Sequence, residues 1–352
     1  MDYRSSGVDI DAGTETVRRI KGLAKATFTA GVLSEIGSFG GLFRLDPTAW
    51  KDPILVSSAD GVGTKLKIAF LANEHRTIGL DLVNHCVNDI LVQGARPLFF
   101  LDYLATGCLK PNVAEQVVEG LARGCRENGC ALLGGETAEM PGFYADDEYD
   151  LAGFIVGAVE SETLIDGRSI ALGDVLIGLP SNGLHTNGYS LARRIAFDHL
   201  GLSVDSTVAD VSPSPLGEVF LTPHRSYLQA VYPLIARGAL KGLAHITGGG
   251  ITDNLPRIFP EGTAARIDRA AWQVPPLFEW LQKAGDVPVE EMFRTFNMGI
   301  GLIMVCTPAL VEPVLEDLRS RHESPVLVGE VIPGARSVVY EKGGTEKGVG
   351  PI

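Results

Sequence analysis

The sequence of 352 residues contains only five cysteines, and none of them forms a C-x-x-C pair with another. An odd set without paired spacing excludes a disulfide framework and a structural zinc site as the basis of the fold. A chain of this length needs neither, because it buries about three quarters of its unfolded surface. We therefore expect reduced thiols in the core at Cys86, Cys108, Cys125, Cys130 and Cys306.

Basic residues are scarce as well, since 30 lysines and arginines stand against 43 aspartates and glutamates, for a formal net charge of −13. Nucleic acids and anionic membranes are bound through clustered basic residues, so we expect neither as a partner. The longest apolar runs are far shorter than the ~18 to 20 residues of a membrane span. The first seven residues lack the pattern of a signal peptide, and we expect a cytoplasmic protein.

The phosphate-binding sequence G-x-x-x-x-G-K-[ST] is also missing, but residues 57–65 (SSADGVGTK) offer a different combination. An apolar run at 53–56 predicts a strand, and Asp60 then lies where that strand ends. Glycine amides and Lys65 suit a phosphate, while Asp60 suits the Mg²⁺ that accompanies a nucleotide. A tight hairpin turn with solvated ends is an equal alternative for this stretch alone.

A predicted helix at residues 78–95 carries polar side chains within an apolar pattern. Asp81, Asn84 or His85, and Asn88 or Asp89 recur every three to four residues and share one side of the helix. A plain amphipathic helix with a solvated face has the same period. That side lacks lysine and arginine, which favours cation coordination over solubility.

A second glycine-rich segment, at residues 131–142, runs from a predicted strand into two glycines and two carboxylates. Its polar and glycine positions make it a second candidate ligand site.

A third segment, at 180–190, precedes a predicted helix and contains His185 and Asn187. Free amides at a helix start can bind an anion, although an ordinary capping loop explains the same residues. His185 is a candidate general acid or base, but a lone loop histidine is more often structural.

The length predicts about two domains, at one per ~150 residues. Residues 160–168 show no strong pattern, so we place the boundary near Arg168 and expect domains at 1–168 and 169–352. Strands and helices alternate in both halves, which indicates an α+β or α/β class. The glycine-rich, charged tail at 342–352 is expected to be frayed.

Eight segments, in order and at similar intervals, together resemble the aminoimidazole ribonucleotide synthetase family, the phosphoribosylformylglycinamidine cyclo-ligases. They are GVDIDAG at 7–13, DGVGTK at 60–65, GLDLV and CVND within 79–89, FFLDY at 99–103, GGETAEMPG at 134–142, HTNGYS at 185–190, HITGGG at 245–250 and RTFN at 294–297. The resemblance covers nearly the whole chain. Ala59 replaces the family's threonine and the tail after Glu341 is long, but neither departure changes a charged position.

The resemblance implies an ATP-dependent synthetase whose N-terminal half contributes strands to a β-barrel shared by a homodimer, with a C-terminal α/β half. It implies ATP and Mg²⁺ as cofactors, and as metal ligands Asp60, Asp81, Asp89 and Glu136. The implied nucleotide contacts are Lys25, Gly61, Gly63, Thr64, Lys65, Asn84, Gly134, Gly135 and Thr137. The implied catalytic residues are His185, Asn187 and Lys65.

The implied reaction closes formylglycinamidine ribonucleotide to 5-aminoimidazole ribonucleotide, with release of ADP and phosphate. ATP phosphorylates the formyl oxygen, and the ribose-bearing nitrogen then attacks the activated carbon. Another ATP-using member of the superfamily, such as thiamine-monophosphate kinase, is the alternative enzyme. A non-catalytic nucleotide-binding dimer is the alternative from another class, and the full set of acidic and glycine turns disfavours it.

Overall fold

The computed structural model describes residues 6–341, and these contain two β-sheets, one in each half of the chain. The tail at 342–352 lies outside the described residues. The first sheet has four strands in the order β1-β4-β2-β3. Their bounds are β1 Pro53–Gly61, β2 Arg96–Thr106, β3 Ala131–Glu139 and β4 Tyr149–Glu160. β2 and β3 are parallel, whereas β4 runs antiparallel to both of its neighbours.

Four helices accompany this sheet: α1 Ile10–Lys25, α2 Leu66–Ala72, α3 Arg76–Leu91 and α4 Pro111–Asn128. α3 packs against α4 and against β1, β2 and β4, and nearly all of its residues are buried. The two helices approach so closely that a Cβ on Gly79 would lie 2.2 Å from the carbonyl oxygen of Val117. Glycine is therefore required at this crossing, and α3 is held firmly at the centre of the half.

The outer face of the first sheet remains apolar. Side chains alternate along a strand, so one face packs against α3 while the other carries Leu55, Tyr103 and Phe154. These three side chains are 63, 36 and 45% exposed. The edges also lack partners, because within residues 6–341 β1 pairs only with β4 and β3 only with β2.

The second sheet has six strands in the order β10-β7-β9-β5-β8-β6. Their bounds are β5 Val175–Pro180, β6 Gly242–His245, β7 Thr263–Asp268, β8 Ile300–Cys306, β9 Val326–Pro333 and β10 Val338–Glu341. The helices of this half are α5 Tyr189–Arg193, α6 Leu216–Leu221, α7 Leu228–Ala236, α8 Gly250–Asn254, α9 Pro276–Gly285, α10 Val289–Thr295 and α11 Val311–Ser320. All seven residues of β8 are buried, which makes it the centre of the second core.

No described helix is both long and apolar enough to cross a membrane. The five cysteines are free, as expected, but Cys108 is exposed, while the other four are buried in the core. The prediction of core thiols is therefore wrong for Cys108.

Candidate active site

A cleft of about 520 Å³ separates the two halves and contains two of the predicted metal ligands. Asp60 is near the end of β1, and Asp89 lies in the last turn of α3. Two histidines contact them: His85 Nε2 is 2.7 Å from Asp60 Oδ2, and His245 Nδ1 is 2.8 Å from Asp89 Oδ1. Ser58 donates to the other oxygen of Asp89 at 3.1 Å. The cleft thus concentrates two carboxylates against two imidazoles.

The electrostatics of the four groups are coupled. Burial alone would lower the pKa of His85, but Asp60 and Asp89 raise it on balance. Burial lowers the pKa of His245, and Asp89 opposes this only in part. Burial would raise the pKa of each aspartate, yet the paired histidine leaves both pKa values below the ordinary range. Both carboxylates are therefore anionic at neutral pH, and their oxygens are of the type that Mg²⁺ prefers.

Behind the cleft, a hydrogen-bonded chain joins the two histidines. His85 Nδ1 is 2.7 Å from the hydroxyl of Thr186, which lies 3.3 Å from His224 Nδ1. His224 Nε2 in turn lies 3.0 Å from His245 Nε2. Burial lowers the pKa of His224 well below its ordinary value. A neutral, fully enclosed histidine therefore links the rings that contact Asp60 and Asp89.

Asp81 and Lys65, for which a metal contact and a phosphate contact are predicted, do not line the cleft. The Lys65 ammonium donates to Asp81 Oδ1 at 2.8 Å and to the carbonyls of His185 and Thr222. Both charged side chains have no exposed surface. Burial raises the pKa of Asp81 to about 6, although Lys65 opposes the rise. In this conformation the enclosed ion pair has no surface to offer a ligand, and the metal role of Asp81 and the phosphate role of Lys65 stay predictions.

The remaining polar side of α3 fastens the two halves together. The backbone N–H of His224 donates to Asp81 Oδ1 at 2.6 Å, and Asn84 donates to the carbonyl of His224 at 2.7 Å. Asn88 donates to the carbonyl of Arg225 and accepts from the N–H of Tyr227, both at 2.9 Å. The side chain of Asn84 is buried in this junction, and its nucleotide contact stays a prediction.

His185 is enclosed beneath the cleft rather than facing it. Its side chain is buried, it stacks on His224 with ring centroids 4.0 Å apart, and its φ is +62°. A positive φ is uncommon for a residue other than glycine and marks a conformation imposed by its surroundings. Direct contact with a substrate, as predicted, is not available to this side chain in this conformation. Asn187 is only partly buried and lies beside the Thr186 hydroxyl.

The turn after β1 places the remaining residues of the first glycine segment. Gly63 has a φ of +66°, which glycine adopts without strain, and Gly61 is partly exposed. Thr64 is exposed, with its hydroxyl 3.0 Å from the hydroxyl of Ser190. The turn is therefore open to a ligand, whereas the side chain of Lys65 points away from it into the interior.

A second cleft, of about 720 Å³, lies along β3 and α1. Gly134, Gly135, Glu136 and Thr137 line it, as does Glu35, which pairs with the exposed Lys25 at 3.2 Å. Gly135 is required here, because a Cβ would lie 2.3 Å from a carboxylate oxygen of Asp102. A larger residue at this position would therefore collide with Asp102 of β2.

Glu136 does not join Asp60 within one chain. Register places Asp60 opposite Gly153, Gly153 opposite Asp102, and Asp102 opposite Gly135. Three strand spacings separate β1 from β3, which is about 14 Å. The predicted set of four metal ligands is thus divided into a pair at the cleft, one buried residue and one residue on the far edge of the sheet.

The sequence does not indicate that His224 and His245 belong to this cluster, and His245 is recognisable only as the first residue of the HITGGG segment. The spacing of His85 and Asp89, four residues apart on a predicted helix, was a usable local signal. No local signal connects His224 or His245 with Asp89, because 135 or more residues separate them along the chain.

Comparison with known proteins agrees with the two-part architecture. The family model described as "AIR synthase related protein, N-terminal domain" matches residues 44–159. The family model described as "AIR synthase related protein, C-terminal domain" matches residues 171–342. Phosphoribosylformylglycinamidine cyclo-ligase of Trichlorobacter lovleyi is 56% identical over 94% of each chain. The enzyme of that name from Geobacillus thermodenitrificans is 52% identical over 95% of this chain and 96% of its own.

Two solved structures share the fold at low identity. Thiamine-monophosphate kinase from Stenotrophomonas maltophilia is 17% identical with a TM-score of 0.64, covering 93% of this chain and 96% of its own. Hydrogenase maturation protein HypE in complex with ATP is 21% identical with a TM-score of 0.64, covering 91% of this chain and 88% of its own. These two structures have different names, whereas the two relatives described above, at 56% and 52% identity, share one name. The chain belongs to the AIR synthase related protein family, with both of its domains present.

Proposed function

We propose that the protein is a phosphoribosylformylglycinamidine cyclo-ligase, which closes formylglycinamidine ribonucleotide to 5-aminoimidazole ribonucleotide with ATP and Mg²⁺. The main support is the convergence of Asp60 and Asp89 in a cleft between the domains, in a chain 56% identical to a named cyclo-ligase. We place it in the cytoplasm, with domains at 1–168 and 169–352. The two sheets lie on either side of that boundary.

Each side chain in the cleft has a proposed task. Asp60 and Asp89 would hold Mg²⁺, which neutralises phosphate charge during phosphoryl transfer. The open turn at Gly61, Gly63 and Thr64 offers backbone amides to the phosphates. Asn187 is the residue of its loop proposed to contact the substrate. Lys65 contributes indirectly, by fixing the strand end that carries Asp60 against α3.

The chemistry explains why ATP is needed. The formyl oxygen is a poor leaving group, so transfer of the terminal phosphoryl group of ATP to that oxygen, with release of ADP, makes the carbon reactive. The ribose-bearing nitrogen then forms the new C–N bond, the C–O bond breaks, and phosphate departs with the oxygen. The acidic cleft suits this sequence only with a cation present, because carboxylates alone would repel the phosphates.

We further propose a homodimer in which the first sheets of two chains close into one barrel. Each chain offers the unpaired edges β1 and β3 and an apolar face with Leu55, Tyr103 and Phe154. Pairing β1 of one chain with β3 of the other would bring Glu136 of the partner subunit toward Asp60. The second cleft, with Gly134, Gly135 and Thr137, would then adjoin the first one.

The deciding experiment measures ADP release by the purified protein with formylglycinamidine ribonucleotide and, separately, with thiamine monophosphate. Turnover with the first compound alone supports the proposal, and mass spectrometry should show loss of water relative to the substrate. Turnover with thiamine monophosphate alone would instead support a thiamine-monophosphate kinase.

Light scattering of the Leu55→Glu variant tests the proposed barrel. A dimer that becomes a monomer in this variant supports the barrel, and an unchanged dimer contradicts it.

A further inference from the structure

Arg257 is a cationic side chain on the wall of the cleft that contains Asp60 and Asp89. It lies in the short turn after α8, so it belongs to the second half of the chain, whereas both aspartates belong to the first half. Its side chain is exposed, and its only hydrogen bond to a described residue runs from Nη1 to Asn254 Oδ1, at 3.1 Å. A guanidinium has five N–H donors, so most of them remain available to a ligand in the cleft.

The acidic side chains of the cleft do not neutralise this arginine. Three carboxylates line the cleft together with Arg257, and each of them has a different cationic or imidazole partner. Asp60 contacts His85, Asp89 contacts His245, and Asp166 contacts Arg168. Arg257 therefore offers an unpaired positive charge within a cleft that is otherwise acidic.

Asn254 holds the guanidinium in place. Asn254 is buried, and its amide nitrogen donates to the carbonyl of Gly248 at 3.0 Å and to the carbonyl of Gly250 at 2.9 Å. A carbonyl can only accept, so the amide oxygen of Asn254 is the atom that faces Arg257. An ordinary surface arginine is solvated and samples many rotamers, whereas Arg257 is anchored by a buried side chain. Such anchoring reduces the conformational entropy that is lost when a ligand binds.

The glycine-rich turn at residues 247–250 brings the proposed substrate contact Asn187 close to the same place. A Cβ on Gly248 would lie 3.2 Å from Asn187 Oδ1, so these two residues are neighbours. Thr247 lines the cleft, and its hydroxyl donates to the same oxygen of Asn254 that accepts from Arg257, at 3.3 Å. Asn187 and Arg257 thus adjoin one turn, and a substrate held there has both within reach.

The proposed function supplies the anion for this site. Mg²⁺ bound by Asp60 and Asp89 would offset the charge of ATP, but the phosphate monoester of the ribonucleotide has no cation among the residues assigned above. The planar guanidinium of arginine can bond two oxygens of a phosphoryl group at once, which makes arginine well suited to this group.

We propose that Arg257 binds a phosphoryl group of a nucleotide in this cleft. The inference rests on the proposed cyclo-ligase function and adds a phosphate-binding residue to it. Two sources supply the same chemistry: the phosphate monoester of formylglycinamidine ribonucleotide and the terminal phosphoryl group of ATP. Binding measurements with each nucleotide and its counterpart lacking that phosphate distinguish the two sources.

Titration calorimetry of the wild type and of Arg257→Met, with Mg²⁺ present, compares formylglycinamidine ribonucleotide with its ribonucleoside, and ATP with ADP. If the substrate supplies the phosphate, the variant should bind the ribonucleotide about 10- to 100-fold more weakly and the ribonucleoside as the wild type does. A loss confined to ATP, with ADP binding unchanged, would assign Arg257 to the terminal phosphoryl group. Unchanged affinities, or equal losses within both pairs, would overturn the inference.

Two further variants control for charge and for folding. Arg126→Met, at an exposed position near the end of α4, removes an arginine outside the cleft and should leave all four affinities unchanged. Arg257→Lys keeps the charge but loses the planar fork, so it should restore only part of the affinity. Product formation by the wild type is measured separately. A chain that makes the product, yet shows no phosphate-selective loss in Arg257→Met, would keep the proposed function and contradict the role of Arg257.

Discussion

Asp81 and Asp89 occupy one helix, eight residues apart, and the surrounding residues give them opposite roles. At ~1.5 Å per residue they are about 12 Å apart along the axis. Asp81 is sealed against Lys65 with no exposed side-chain surface, whereas the side chain of Asp89 is 26% exposed and borders the cleft. The carboxylate at the enclosed end fastens the two halves together, and the one at the open end is available to a ligand. The burial of each aspartate, rather than its residue type, decides whether it is structural or able to bind a ligand.

The comparison predicts its largest effect at the buried end. Lys65→Met removes the positive charge beside Asp81 and should destabilise the protein by about 3–5 kcal/mol near pH 8, because an uncompensated carboxylate stays buried. Urea unfolding followed by circular dichroism measures this loss. The exposed Lys51→Met variant, which breaks a surface pair with Glu162, should change the stability by less than about 1 kcal/mol.

The stability of Lys65→Met should also depend on pH in a distinctive way. Burial already raises the pKa of Asp81 to about 6 from its ordinary value of 3.8, with Lys65 opposing the rise. Without Lys65 the folded-state pKa lies higher still, so the folded chain holds a proton that the unfolded chain has lost. That contribution is fully present below pH 4 and is lost as the pH rises through the folded pKa.

The destabilisation of Lys65→Met relative to the wild type should therefore be smaller at pH 5.5 than at pH 8. A loss of equal size at both pH values would mean that Asp81 does not titrate in the variant. Replacing the pair together, as Lys65→Met with Asp81→Leu, should cost less than the single change, since no charge is left buried.

The open end should respond through cation binding instead. Asp89→Asn removes one negative charge from the cleft but keeps an oxygen and the approximate shape. We expect the Mg²⁺ concentration needed for half-maximal turnover to rise about 10- to 100-fold, because affinity follows the charge of the ligands. The unfolding midpoint should shift far less than in Lys65→Met. An unchanged Mg²⁺ requirement would remove Asp89 from the metal site, and Asp46→Asn, on an exposed loop, is the matched control.

Sequence reasoning located the elements well but not the depth of their side chains. The strand ending near Asp60 and the helix carrying Asp89 follow from local periodicity, which short windows contain. Asp81 and Asp89 have the same local pattern, and what separates them is the segment around His224. His224 lies 143 residues beyond Asp81. A short sequence window on α3 therefore cannot reveal that the N–H of His224 donates to the carboxylate of Asp81.

The position of Glu136 relative to Asp60 is likewise decided by contacts distant in the sequence. A carboxylate after paired glycines is a reasonable metal ligand in isolation, but strand order decides which site it can reach. The order β1-β4-β2-β3 places it three strands from Asp60. Only a second chain, paired edge to edge, would bring the two together, and pairing between chains leaves no periodic signal in one sequence.

The smallest effect is expected at the rim of the second cleft, where the ion pair between Lys25 and Glu35 is exposed to solvent. Lys25 and Glu35 are each 61% exposed, and solvent screening limits such a pair to about 0–1 kcal/mol. Lys25→Met should therefore leave the unfolding midpoint nearly unchanged, as is also expected for Lys51→Met. Glu35 borders the second cleft, so a nucleotide bound there would find Lys25 within reach of its phosphates. A KM for ATP raised several-fold at unchanged stability would support the nucleotide contact, whereas a KM equal to that of Lys51→Met would show that Lys25 is only a solvated partner of Glu35.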